Sequence, residues 1–238
     1  MFYFGNRMLI HPLSGGDGGG GDVSRSFFYN QGLVNNMIIP KIPLIEDFNI
    51  TFDIWHPNVI GASQIILSDD VAGGEYIFLS TNGRITVSTS SGAVQLDGAV
   101  NSQEYTTIRI LKSAGTMRIE STASGGIANQ DNVGQFAKLG VVKFGRYSSD
   151  SLRFIGVLAN MHIEHLTTGK DYLYKMDEGF MTDTIDLKDT GSTGEANHGS
   201  YQDQAHNWGT FNFVSPEWQG QSLSTTSWPS TDMIMEVV

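Results

Sequence analysis

Across residues 49–55, Ile50, Phe52 and Ile54 alternate with Asn49, Thr51 and Asp53. A period of two gives one apolar and one polar face, the pattern of a strand lying on a core. The same alternation returns at Ile85 and Val87 against Thr86 and Ser88, and at Ile108 and Ile110 against Thr107 and Arg109. It returns again at Met117 and Ile119 against Thr116, Arg118 and Glu120. Residues 65–67 and 76–79 are short apolar runs of strand length. Turn chemistry separates these segments: Asn82-Gly83, Ser90-Ser91-Gly92 and Ser113-Ala114-Gly115. An Asn-Gly pair between two apolar runs is a strong hairpin signal, because both residues tolerate positive φ.

Residues 152–166 form a longer segment. Ile155, Val157, Ala159, Met161 and Ile163 fall on one side of a regular alternation, with Phe154, Leu158, His162 and Leu166 on the other. Both sides are partly apolar, which predicts a central strand. Residues 167–170 read as a turn, 172–176 as a strand, 186–207 as a long polar loop and 208–213 as a closing strand. No segment carries a 3.6-residue apolar stripe with helix caps. The prediction is an all-β, two-sheet antiparallel jelly-roll sandwich with an N-terminal arm and a C-terminal tail.

The 238 residues are 39% hydrophobic, enough to bury a core without staples. There is no Cys, so disulfides, zinc–thiolate sites and thiol catalysis are excluded. The formal net charge of −11 argues against nucleic acid as a partner. Arg7 and His11 interrupt the first apolar run, so residues 1–13 do not read as a secretory signal, and no apolar stretch has the length of a membrane span. A soluble protein assembled in a cytoplasm is expected. Residues 14–22, SGGDGGGGD, read as a flexible linker or glycine turn. They set off an apolar arm containing Phe2, Tyr3 and Phe4. The division expected is 1–22 for arm and linker, 23–213 for the sandwich and 214–238 for a tail holding Trp218 and Trp228. The arm and tail are either strands of the same domain or devices that dock on a neighbouring subunit.

Leu139-Gly140, Phe144-Gly145-Arg146-Tyr147 and residues 154–163 (FIGVLANMHI) resemble a late segment of laminin-G/concanavalin-A-like domains. The order that follows, Thr168-Gly169-Lys170, residues 172–177, the polar loop and Trp208 to Phe211, is similar to versions found in bacteriophage structural proteins, in head or tail appendages. The resemblance spans about residues 27–213. It implies a virion protein, a tail fibre, spike or capsid decoration, whose partners are other virion proteins, copies of itself (a trimer among the options) and a host-surface glycan. A free-standing carbohydrate-binding module is the alternative, and a glycoside hydrolase a weaker one.

Catalytic relatives in that group carry Glu-x-Asp-x-x-Glu on one strand, which presents paired carboxylates to a glycosidic bond. Here Glu46 is followed two residues later by Phe48, Glu75 by Ile77 and Glu164 by Leu166, so the motif is absent. No nucleophile elbow and no phosphate-binding glycine loop is present, and no catalytic residue is assigned. Sugar binding calls for an aromatic platform beside planar polar groups. Trp55-His56 and His206-Asn207-Trp208 are the candidates, with burial of both tryptophans as the competing expectation. No cofactor is required. A calcium ion would want clustered oxygens, and Asp69-Asp70 and the loop containing Asn129 and Asp131 are candidates, though turns favour these residues in any case.

Overall fold

The computed structural model describes residues 24–29, 36–40, 42–44, 46–56, 63–68, 75–89, 92–123, 127–131, 154, 156–174, 186–187, 189–192, 199–202, 207–212, 217–218 and 221–222. Seventeen strands and one 3-10 turn make up the regular structure among them. They are β1 (Ser24–Tyr29), β2 (Asn36–Ile38), β3 (Phe48–Trp55), β4 (Gln64–Ser68), β5 (Tyr76–Ser80), β6 (Arg84–Thr89), β7 (Gly92–Leu96), β8 (Thr106–Ser113) and β9 (Thr116–Ser121). There follow β10 (Ile127–Asp131), β11 (Gly156–His165), β12 (Asp171–Tyr174), β13 (Asp186–Leu187), β14 (Gly199–Gln202), β15 (Asn207–Asn212), β16 (Glu217–Trp218) and β17 (Gln221–Ser222).

The larger sheet runs β10-β9-β8-β3-β11-β1-β15-β16-β17, with β12 also paired to β11. A second sheet is the meander β4-β5-β6-β7, and a small third sheet joins β13-β14-β2. Every strand pairing is antiparallel. The core lies between the first two sheets. Phe48, Ile50, Phe52, Ile54, Ile108, Ile110, Met117, Ile119, Met161 and Ile163 of the larger sheet join Ile77, Leu79, Ile85, Val87, Val94 and Leu96 of the meander in one buried cluster. The period-two alternation thus does what it predicted, and burial of each such side chain contributes about 1.5–3 kcal/mol.

The predicted turns close hairpins. Asn82 (φ 65) and Gly83 (φ 70) are both left-handed and join β5 to β6. Ala114 (φ 51) and Gly115 (φ 81) form the two-residue turn of the β8–β9 hairpin, whose primed geometry matches the strand twist.

Three local expectations are corrected. Residues 129–131 are not in a loop: they belong to β10, which pairs in register with β9 through Asn129↔Arg118 and Asp131↔Thr116. The stretch 186–207 is not one loop, since it contains β13 and β14, which pair with each other and with β2. The alternation over 152–166 is not regular either. A bulge between Ala159 and His162 sets two residues of β11 against one of β3, with Asn160 at φ 51. The bulge shifts the parity, so Leu158 on one side of it and Met161 and Ile163 on the other all face the core. One extra residue does this because side-chain direction in a strand reverses at every step.

A polar face on the larger sheet

The residues of β3 that alternate with its core side chains are Asn49, Thr51 and Asp53. Register places Thr51 opposite Arg109 and Asp53 opposite Thr107 on β8, and Arg109 opposite Glu120 on β9. On the other flank Asn49 stands opposite Glu164 and Thr51 opposite His162 on β11, and Glu164 opposite Asp171 on β12. The side of the larger sheet turned away from the core therefore carries a polar band across five strands, β9-β8-β3-β11-β12.

Direct bonds link this band. Arg118 Nε lies 2.8 Å from Glu120 Oε1, and Arg109 Nη1 lies 3.4 Å from Glu120 Oε2. Arg109 Nε donates to Asn49 Oδ1 at 2.8 Å, and Asn49 Nδ2 donates to Glu164. His162 Nε2 is 3.0 Å from Asp171 Oδ2, and its Nδ1 is 3.9 Å from Glu164 Oε2. Asp171 in turn accepts the Ser192 backbone N–H at 2.9 Å, while its own N–H donates to Ser192 Oγ at 2.9 Å. Hydrogen bonds from Ser192, joined by His162, hold the Asp171 carboxyl below the usual carboxylate range, against the opposing effect of burial. It is an ionised acceptor at neutral pH.

Beside this chain of contacts lies a second group centred on Asp53, only 7% exposed. Thr107 Oγ1 donates to its Oδ1 at 2.7 Å, and Asn160 Nδ2 donates to its Oδ2 at 2.7 Å. The left-handed backbone of the bulge is what presents the Asn160 amide to Asp53. Tyr105, just before β8, also hydrogen-bonds Asp53. Burial of its hydroxyl, with the nearby Asp53 charge, pushes the phenol well above its ordinary range, so it stays protonated. The residue as a whole is 42% exposed. A half-exposed aromatic ring thus stands beside a fixed carboxylate, an amide and a hydroxyl.

The residues singled out from sequence lie elsewhere. Trp55 is 0% and His56 2% exposed, so neither ring offers a face to solvent, and the platform expected there is corrected to burial. His56 Nε2 is 3.0 Å from Gln64 Oε1, and its ring meets Phe154 edge-on at 6.0 Å. Burial lowers its pKa to about 4, opposed by the Gln64 hydrogen bond. Asn207 and Trp208 open β15 opposite Phe28 and Phe27 of β1. The pairs Trp55↔Val157, Val157↔Phe28 and Phe28↔Asn207 set Trp55 and Asn207 in one row, three strands apart, or about 14 Å. Trp218 is in β16. His206, Asp69, Asp70, Phe2, Tyr3, Phe4 and Trp228 lie outside the described residues. Asn129 and Asp131 occupy alternate positions of an edge strand, and among the described residues no group of three His, Cys, Asp or Glu is placed to hold a metal ion.

Neither a family model nor a curated protein matches the sequence. Solved structures do resemble the fold. The mouse laminin α1 chain, domains LG4-5, superposes with a TM-score of 0.50 at 12% identity, over 67% of this chain and 44% of that one. This chain thus matches less than half the length of that laminin fragment. The Ruminococcus gnavus IT-sialidase CBM40 bound to α2,3-sialyllactose gives 0.39 at 13% identity, covering 48% of this chain and 72% of that one. The enzymatically active domain of bacteriophage CBA120 tailspike protein 2 gives 0.39 at 11%, covering 65% and 30%. Of these three, the laminin likeness reaches 0.50, and at that identity it speaks to the fold alone. The fold is a laminin-G-like antiparallel β-sandwich.

Proposed function

We propose that this domain is a non-catalytic glycan-binding module that uses the outer face of its larger sheet, and that it serves in a bacteriophage virion appendage. The observation that carries the glycan reading is the Asp53 group. Sugars are bound by an aromatic surface for their C–H faces and by planar acceptors and donors for their hydroxyls. Tyr105, Asp53, Asn160 and Thr107 supply both kinds, and rigid strands hold them before any ligand arrives. Binding is favoured over hydrolysis because the strand motif that presents paired carboxylates in the catalytic relatives is absent from the sequence. The virion reading rests on the order downstream of residues 154–163, namely Thr168-Gly169-Lys170, residues 172–177, the polar loop and Trp208 to Phe211, which is similar to that of bacteriophage structural proteins. Mass spectrometry of purified phage particles would locate the chain there or refute that part.

The glycan reading is tested by screening the protein on a glycan array and titrating the hits by calorimetry. Asp53→Ala and Tyr105→Ala are expected to weaken binding at least about tenfold, the loss of roughly 1.4 kcal/mol. Wild-type circular dichroism in both variants would exclude unfolding as the cause. An array with no hits, or variants that bind unchanged, would refute it.

A further inference from the structure

The polar face carries unequal charge. Among the described residues this side of its strands holds four carboxylates, Asp53, Glu120, Glu164 and Asp171, against two guanidiniums, Arg109 and Arg118, while Lys112 of β8 alternates to the other side, over the Phe48 ring. Glu104, next to Tyr105, adds an exposed carboxylate at the rim, where it accepts from Asn101 at 2.8 Å. Both guanidiniums pair with Glu120. Glu120 takes Arg118 at 2.8 Å and Arg109 at 3.4 Å, and Arg109 also donates to Asn49 at 2.8 Å. The other carboxylates of the band have different company. Asp53 is bonded by neutral donors, Thr107 and Asn160, and Glu164 by the neutral amide of Asn49 with His162 at 3.9 Å. Among the described residues, no Lys or Arg is bonded to Asp53, the carboxylate beside the aromatic ring.

We infer that the ligand class is neutral glycan, and that sugars bearing a carboxylate or sulfate are turned away. The inference rests on the glycan-binding reading of the same face. Hydroxyl groups donate to carboxylates and suit this surface as it stands. A sialate, uronate or sulfate bound at the Tyr105 ring would set a like charge beside Asp53 and Glu104, and juxtaposed like charges suppress binding of the wrong partner. The overall charge of −11 adds to the repulsion at long range.

The test uses the full chain and matched probes: neutral oligosaccharides such as lactose, and their acidic counterparts such as 3′-sialyllactose, titrated at low and high salt. The expected result is binding of a neutral member, with its acidic counterpart weaker by on the order of tenfold and with little salt dependence for the neutral one. Glu104→Gln, beside Tyr105, keeps a side chain that can still accept from Asn101 but removes the charge. It should narrow the gap between the paired ligands. Equal or tighter binding of the acidic counterpart would overturn the inference and leave glycan binding standing. A panel in which neither kind binds would overturn glycan binding, and this inference with it.

Discussion

His56 shows what a single buried side chain imposes on the whole domain. It is 2% exposed, bonded to Gln64 and packed on Phe154. Its pKa is lowered from 6.5 to about 4, with burial as the main cause. The unfolded chain therefore binds this proton at a higher pH than the folded one does. Stability is complete above about pH 6.5 and falls as the pH drops toward 4, by up to about 3 kcal/mol from this group. Urea unfolding at pH 7 and pH 5 measures it. The midpoint should drop at pH 5 in the wild type, and the drop should shrink in His56→Gln, which has nothing to titrate in that range. At this scale the sequence is a partial guide. Trp55 and His56 stand at a strand end and read either as a platform or as a cover over a sheet edge, because sequence does not say what covers a strand end. Gly83 was legible as a turn residue, but not the approach of Val100, whose carbonyl oxygen would lie 1.9 Å from an added Cβ.

Strand β11 is where pattern reading and structure part. The alternation of residues 155–163 reads as one unbroken strand, yet Asn160 at φ 51 inserts a bulge opposite β3. The signal was present in Leu158 and Met161, two buried apolar residues at an odd spacing on either side of an Asn. Asn tolerates left-handed backbone better than most residues. The band Asn49, Thr51, Asp53 was visible as a polar side of β3, but its continuation through Arg109, Glu120 and His162 depends on which strands become neighbours. Tyr105 was missed because it lies between strands, outside any alternation. The bulge has a testable consequence. Asn160→Gly keeps the left-handed backbone but removes the bond to the buried Asp53 carboxylate, so it should cost about 1–3 kcal/mol while glycan affinity drops. Asn160→Val loses the same bond and puts a β-branched residue at positive φ, so it should cost about 1–2 kcal/mol more. Thermal melts of both, set against their titrations, separate the backbone role from the binding role. If Asn160→Gly binds glycan as the wild type does, Asn160 does not organise the site.

At the scale of the molecule, the order of the larger sheet decides which parts of the chain can be removed. β1 lies between β11 and β15, through Phe27↔Leu158 and Phe27↔Trp208, although it is the first described strand in sequence. Removing residues 1–29 would take out a central strand and leave two new edges, whose unpaired backbone groups invite aggregation. Removing residues 1–22 takes away none of the described strands. It does remove Phe2, Tyr3 and Phe4, the apolar arm whose two readings are a strand of this domain and a device that docks on a neighbouring subunit. The expected outcome is a Δ1–22 protein that folds, keeps the glycan affinity of the full chain and is monomeric by light scattering, whereas the full chain self-associates. The Δ1–29 protein should be insoluble. The two truncations differ by seven residues, so the contrast isolates β1 from the arm. Were the full chain and Δ1–22 both monomers, the arm would have no part in self-association. The assembly proposal would then fall, while the binding face, built from β3, β8, β9, β11 and β12, would be untouched.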